Sequence, residues 1–384
     1  MDFQYSQEQQ QLADAVGRLF EKSYDFEARK RIVGSVDGWS PDAWAAMAEM
    51  GLLMIPFAAD DGGFGGGVTD LIATMEAIGA ALVVEPFAST LLGGRLVANA
   101  CSAAQREALL PGVIDGSTKL AFAHAERASR YALNQVETKA VKAAKGDGGW
   151  RLDGEKVVVL HAPMADRLIV SARTSGEATD AGGISLFVVD PKAAGVTTKT
   201  YRTVDNLRAA DIAFAGATLP ADALLGEPGA AFDAIDEAVD FATVLACCEA
   251  VGAMKFANEA TLEYLKTRKQ FGVPIGAFQA LQHRMVDMTI SAEQARSICL
   301  LACAKLDAAA RGEIEAAERR RVVSAAKVKT ADACRHVGQE AIQLHGGMGM
   351  TQEMKVAHTF KRLTMIAQQY GDVDHHLERF AASW

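Results

Sequence analysis

The chain has 384 residues, half of them hydrophobic and 23% charged, with a formal charge of −9. That length exceeds one ordinary core and points to two or three domains of a globular protein. The acidic balance excludes a general nucleic-acid binder, which needs a basic stripe to displace counterions, but leaves room for a local basic pocket.

The opening MDFQYSQEQQQLADAV is polar and then amphipathic, with no apolar run behind positive charges, so no secretion signal is read there. From Phe3 to about Leu110, apolar residues recur at three- and four-residue spacing, which predicts helices. The most apolar stretch, LIATMEAIGAALVV, is interrupted by Glu and falls short of a membrane span, so no membrane insertion is expected. DDGGFGGG, Asp60 to Gly67, lacks the preceding strand and following Gly-Lys-Ser/Thr of a phosphate loop and reads as a tight turn between helices.

From about Thr118 to Ala221 the texture becomes β. WRLDGEKVVVL carries Asp153-Gly154, a hairpin signal between two runs, and DRLIVSAR and GISLFVVD are short β-branched runs between polar loops. From about Ala230 the 3.6-residue period returns in long Ala/Glu/Arg/Lys-rich segments, broken at QFGVPIGAF and HGGMGM, which suits a helical bundle. The expected class is α+β, with a helical domain over 1–117, a β domain over 118–226 and a helical bundle over 227–384. The six cysteines, Cys101, Cys247, Cys248, Cys299, Cys303 and Cys334, have no partners at zinc-site spacing and read as buried free thiols of a cytoplasmic protein.

Two stretches carry chemistry. In RKQFGVPIGAFQALQHRMVDM, Arg268 closes a long helix, and a loop with Gly272, Pro274 and Gly276 leads to Gln279 on the next. An Arg offers a rigid, permanently charged fork for phosphate, and Phe271 a flat apolar face for a ring. In AIQLHGGMGMTQE, Gly346, Gly347 and Gly349 let the backbone approach a ligand and turn N–H groups toward an anion, with His345 beside them. Taken singly, each stretch also reads as an ordinary helix break.

Together and in this order they resemble the acyl-CoA dehydrogenase family. The resemblance covers nearly the whole chain: MGLLMIPFAADDGGFGGG is similar to the family's GL…GGxG turn, and LLPGVIDGSTKLAFAHAE to its lead into a β domain. The C-terminal stretches are similar to its R-K-x-F-G-x-x-I…F-Q and Q-x-x-G-G-x-G motifs. The resemblance implies an N-terminal all-α domain, a middle β-barrel or sandwich and a C-terminal four-helix bundle. It implies FAD as cofactor, an acyl-CoA substrate, and an electron-transfer flavoprotein or similar acceptor. In such enzymes a base removes the α-proton while the β-hydrogen leaves as hydride to the flavin, and a neighbouring subunit grips the ADP half of FAD. Arg268, Gln270, Phe271, Gln279, Gln343, His345, Gly346, Gly347 and Gly349 fall on those cofactor positions.

The sequence departs from the family where the base should be. Tyr370, followed by Gly371, stands in place of the usual Glu, and Ala242, followed by Thr243, in place of the alternative one. The flavin-facing segments read FAHAERAS and KVVVLHA, so Val158 and Leu160 stand where Trp and Thr are expected. The resulting expectation is a base-lacking subunit of a hetero-oligomer, like the small subunit of pimeloyl-CoA-type or steroid-side-chain-type dehydrogenases, completing the FAD site of a homologous partner. The alternatives are a self-sufficient homo-oligomer using Asp372 or Asp240 as base, a non-catalytic CoA- or FAD-binding scaffold, and a flavin monooxygenase of the same fold. The cluster Asp372, Asp374, His375 and His376 is not expected to hold a metal, because the family chemistry uses flavin.

Overall fold

A computed structural model describes residues 6–143 and 149–383. The first residues of the predicted opening helix, Phe3 to Tyr5, lie outside them. The chain divides into two compact units: one comprises Met1–Ile32, Gly67–Val83 and Thr243–Trp384, the other Val33–Gly66 and Val84–Ala242.

The first unit is helical. Helix α1 (Gln7–Ser23) starts with a capping box in which Ser6 and Gln9 satisfy each other's backbone N–H groups. Next come α2 (Phe26–Gly34) and, after the segment that forms α3 (Pro41–Glu49) in the other unit, α4 (Val68–Ala81). The carboxylate of Asp307 accepts the first N–H groups of α4, from Val68 at 2.6 Å and Thr69 at 3.2 Å, so this N-terminus is capped by a residue far away in sequence. The later part of the unit holds the end of α7 (Phe232–Thr267), α8 (Gln279–Ala310), α9 (Ala316–His345), α10 (Lys355–Gln368) and α11 (Val373–Ala382). Helix α9 packs against α8, α10 and α11, and α4 packs against α1 and α8. Where α4 meets α7 the backbones touch: a Cβ on Gly79 would lie 1.8 Å from the Glu249 carbonyl, and one on Gly252 1.8 Å from that of Glu76. No helix of the described residues is long and apolar enough to cross a membrane.

The second unit sets α3, α5 (Phe87–Ala100) and α6 (Ala103–Ile114) beside a sheet. The strands are β1 (Leu120–Ala123), β2 (Lys139–Lys142), β3 (Trp150–Leu160), β4 (Arg167–Arg173), β5 (Ile184–Val189), β6 (Val196–Arg202), β7 (Arg208–Leu219) and β8 (Leu224–Leu225). They order as β6-β7-β3-β2-β4-β5-β8, with β1 parallel to β4. Leu152, Leu168, Val170, Phe187 and Ile212 fill one core, where the Trp150 ring meets Phe187 edge-on at 5.3 Å.

The expected hairpin at Asp153-Gly154 is not formed. Both residues lie inside the single strand β3, at a bulge against β7. Gly154 has φ 148, and a Cβ there would sit 2.6 Å from the Thr138 hydroxyl, so glycine serves a close approach within the strand rather than a turn. Asp153 accepts the N–H of Gly216 on β7 at 2.8 Å, which further ties the bulge into the sheet.

The α4–α7 crossing predicts that Gly252→Ala lowers stability by about 1–3 kcal/mol, because the added methyl forces two backbones apart. Urea unfolding checks this through a lower midpoint at unchanged slope.

Candidate functional site

In the helical unit, α7 ends at Thr267 and Arg268 leads into a hairpin of β9 (Lys269–Gln270) and β10 (Val273–Pro274). Its two turn residues, Phe271 (φ 55) and Gly272 (φ 82), both take the left-handed conformation a two-residue hairpin demands. A bulky aromatic rarely adopts such a φ. Here it holds the Phe271 ring out at 91% exposure, touched edge-on by Phe278 at 6.1 Å. The Arg268 carbonyl accepts the Ile275 N–H at 2.8 Å and closes the hairpin base. Among the described residues the Arg268 guanidinium has no partner. Helix α8 then begins at Gln279 with no side-chain cap, so its first N–H groups remain open to an anion.

The glycine stretch lies at the other end of α9. Gly346 (φ 61) and Gly347 have no heavy atom within 4 Å of where a Cβ would be, whereas Gly349 is buried against the Ile342 carbonyl. His345 is buried and shares its Nδ1 proton with the Ala341 carbonyl at 2.8 Å; burial lowers its pKa, so the ring is neutral with its other nitrogen an acceptor. Its ring stacks on Tyr264 at 4.5 Å and 28°. That stack joins the end of α7 to the end of α9 and so brings the two motifs together. Gln279 and Gln343 are exposed, and the exposed Gln270 bonds only its neighbour's carbonyl among the described residues. An open guanidinium, an exposed ring, an uncapped helix start and two unencumbered glycines suit the diphosphate and base of a dinucleotide.

The turn carrying Tyr370 is built differently. Lys327 of α9, with no exposed surface, donates to the carbonyls of Ile366 at 2.6 Å and Gln369 at 2.8 Å, satisfying the last turn of α10. Tyr370 (φ 60) offers its carbonyl to His376 Nε2–H at 3.1 Å. Burial of the Tyr370 hydroxyl raises its pKa; beside it lies a buried pair in which Arg362 donates to Glu249 at 2.5 and 2.7 Å. Asp372 is the N-cap of α11, its carboxylate accepting the His375 N–H at 2.9 Å. His376 is held down to about 3, first by burial and then by Lys327 and neighbouring cations. Among the described residues no group of three or more His, Cys, Asp or Glu is arranged to hold a metal ion. Asp240 and Ala242 are both buried on α7.

In the β unit, Val158 (φ 51) stands half exposed on a second bulge of β3, its N–H held by Asp211 at 3.1 Å. Leu160 is half-buried. Behind the bulge, Lys156 is wholly buried and donates to Glu126 at 2.7 Å and to the Ser171 hydroxyl at 3.1 Å. Burial pulls the Lys156 amine down to about 8. Burial alone would raise the Glu126 carboxyl, but Lys156 and Thr138 hold it below its usual value.

Sequence reasoning missed Lys327, Glu249, Arg362 and the Lys156–Glu126 pair. The available signal was a charge inside an apolar helical or strand run, as in VLACCEAVGAM and SAAKVKTADAC.

Three family models match the chain: acyl-CoA dehydrogenase N-terminal domain over 6–117, middle domain over 121–216 and C-terminal domain over 229–382. The acyl-CoA dehydrogenase FadE12 of Mycobacterium tuberculosis (strain ATCC 25618 / H37Rv) is 30% identical over 337 residues, 85% of this chain and 84% of the relative. Among solved structures, a variant of the Tcur3481–Tcur3483 steroid ACAD is 27% identical with a TM-score of 0.85, covering 98% of this chain and 97% of that one. The ChsE4–ChsE5 complex from Mycobacterium tuberculosis shares the fold at a TM-score of 0.87, with 22% identity over 100% of this chain and 98% of that one.

The buried His376 yields a pH prediction. Between about pH 6.5, where an unfolded imidazole titrates, and the folded value of about 3, only the unfolded ring binds a proton. Stability therefore falls as pH drops through that window, by about 1.4 kcal/mol per unit from this ring. His376→Gln keeps an N–H donor for the Tyr370 carbonyl but cannot titrate. The difference in unfolding free energy between wild type and variant should vary with that slope below about pH 6.5 and be constant above about pH 7.

Proposed function

The chain belongs to the acyl-CoA dehydrogenase family, whose members use FAD to oxidise CH–CH bonds, and within it we propose that this chain is the base-lacking subunit of a hetero-oligomer. The observation that carries the proposal is at position 370, where the family's Glu is a Tyr beside the Arg362–Glu249 pair. A phenol whose pKa is raised is a poor acceptor for an acyl-CoA α-proton. Ala242, at the alternative position, brings no carboxylate. Val158 and Leu160 offer neither the indole nor the hydroxyl that faces flavin in the family.

The cofactor-gripping residues present the opposite case. Arg268 would clamp the diphosphate of FAD, and Phe271 would lie against its adenine. Gln270, Gln279, Gln343 and His345 would supply hydrogen bonds, and Gly346, Gly347 and Gly349 would let the backbone approach. When bound, FAD supplies the hydride acceptor. This chain's share of the work is to bind and orient the ADP half, while a homologous chain provides base, flavin pocket and acyl-CoA site. The Tcur3481–Tcur3483 and ChsE4–ChsE5 neighbours, each named for two chains, support a two-chain assembly. An electron transferring flavoprotein among the structural neighbours is consistent with such a protein as electron acceptor.

The alternative is a homo-oligomer with Asp372 or Asp240 as base. Asp372 already holds an α11 backbone N–H, and Asp240 is buried, so each would have to leave its present surroundings to reach a substrate.

Expressed alone, the chain should show no acyl-CoA dehydrogenation; co-expressed with a base-bearing homologue it should co-purify as a yellow complex. In that complex Arg268→Ala should weaken FAD binding about 10- to 100-fold, the loss of a charge-assisted contact worth about 1.5–3 kcal/mol. Asp372→Asn, which preserves the helix cap, should leave turnover unchanged. A turnover loss on the order of a thousandfold would make Asp372 the base.

A further inference from the structure

A residue outside both cofactor stretches ties them to each other. Tyr264 lies one turn before Arg268, and its carbonyl accepts the Arg268 N–H at 2.9 Å as α7 ends. The hairpin that follows returns onto the same stretch of helix: a Cβ on Gly276 would lie 3.0 Å from the Leu265 carbonyl. The half-buried Tyr264 ring then stacks on His345 at 4.5 Å and 28°. His345 is the last residue of α9, only 3% exposed, with its Nδ1–H held by the Ala341 carbonyl at 2.8 Å. That hydrogen bond fixes one atom of the imidazole, and the stacked Tyr264 face fixes its plane. The glycine stretch folds back on the same residue, since a Cβ on Gly349 would sit 2.9 Å from the His345 Cβ and 2.7 Å from the Ile342 carbonyl. A continuous path of contacts thus runs from Arg268 through Tyr264 and His345 to Gly349, next to the unencumbered Gly346 and Gly347.

We propose that Tyr264 is a positioning residue for the ADP half of FAD, acting through His345 to set the spacing between the Arg268 guanidinium and the glycine backbone. The proposal rests on the reading that this unit grips that half of the cofactor. A ligand that bridges two supports binds tightly when the supports are already at the right separation, because ordering them at the moment of binding costs affinity. Here the supports are the ends of two different helices, and helix ends fray. The Tyr264 face joins those ends before the cofactor arrives. The contact is made by the ring and not by the hydroxyl. Tyr264→Phe therefore conserves what the proposal needs, whereas Tyr264→Leu keeps an apolar side chain and removes the flat face.

The test is an FAD titration of the complex with a base-bearing homologue, stripped of flavin and followed by quenching of flavin fluorescence. Tyr264→Leu and Tyr264→Gln should each weaken FAD about three- to tenfold, the range an aromatic pair supplies, and Tyr264→Phe less than about twofold. Two non-aromatic variants are made so that poor folding of one leaves the other to decide. In a His345→Ala background the effect of Tyr264→Leu should shrink to less than about twofold, because the residue it acts through is gone. A merely structural role would leave that effect equal in both backgrounds, and equality overturns the proposal. So does a loss with Tyr264→Phe as large as that with Tyr264→Leu. Arg268→Ala separates the two claims. If it weakens FAD while the non-aromatic variants do not, this proposal fails and the reading beneath it stands. If none of these variants changes FAD binding, the reading fails as well.

Discussion

One buried ammonium organises the end of this chain. Lys327 reaches from α9 to the carbonyls of Ile366 and Gln369 at the carboxyl end of α10. Burying a lysine is costly unless its protons are matched, and the negative end of a helix provides matching acceptors. The consequence is geometric. Helix α10 must stop there, the chain must turn through Tyr370 and Gly371, and α11 must start under its Asp372 cap. His376 completes the arrangement by donating to the Tyr370 carbonyl. The backbone at position 370 is therefore fixed by the turn, while the Tyr370 hydroxyl is buried beside Arg362 and Glu249.

The proposed cofactor positions and the positions where reactive groups are missing lie on separate supports in this chain. The hairpin at Phe271, the open start of α8 and the glycines after α9 lie in the helical unit, where the Tyr264–His345 stack joins the ends of α7 and α9. In the β unit Lys156 and Glu126 are buried and paired, and the bulge at Val158 is anchored by Asp211. On the proposed reading, Val158 and Leu160 in one unit and Tyr370 in the other stand where the family's reactive groups are expected.

Much of this was legible in the sequence because it is written locally. DRLIVSAR and GISLFVVD announce β4 and β5 by their own composition, and the long Ala-rich runs announce α7, α8 and α9 by period. The cofactor motifs are equally local, each a loop between two helices. Asp153-Gly154 misled because a hairpin signal describes only what a glycine permits, and here the neighbouring Thr138 demanded closeness rather than reversal. The buried charges were illegible for a different reason. Arg362 meets Glu249, Lys327 meets Gln369 and Asp307 meets Val68 across long stretches of chain. No pattern in a window of residues specifies such a partner, because packing chooses it.

We propose that this chain completes a flavin site without owning one. Native mass spectrometry of the complex with a base-bearing homologue counts flavins against chains and tests it most directly. A chain that completes its partner's flavin site gives one FAD for each pair of unlike chains. One FAD per chain, with the flavin in this chain's own pocket reduced by an acyl-CoA, would contradict it.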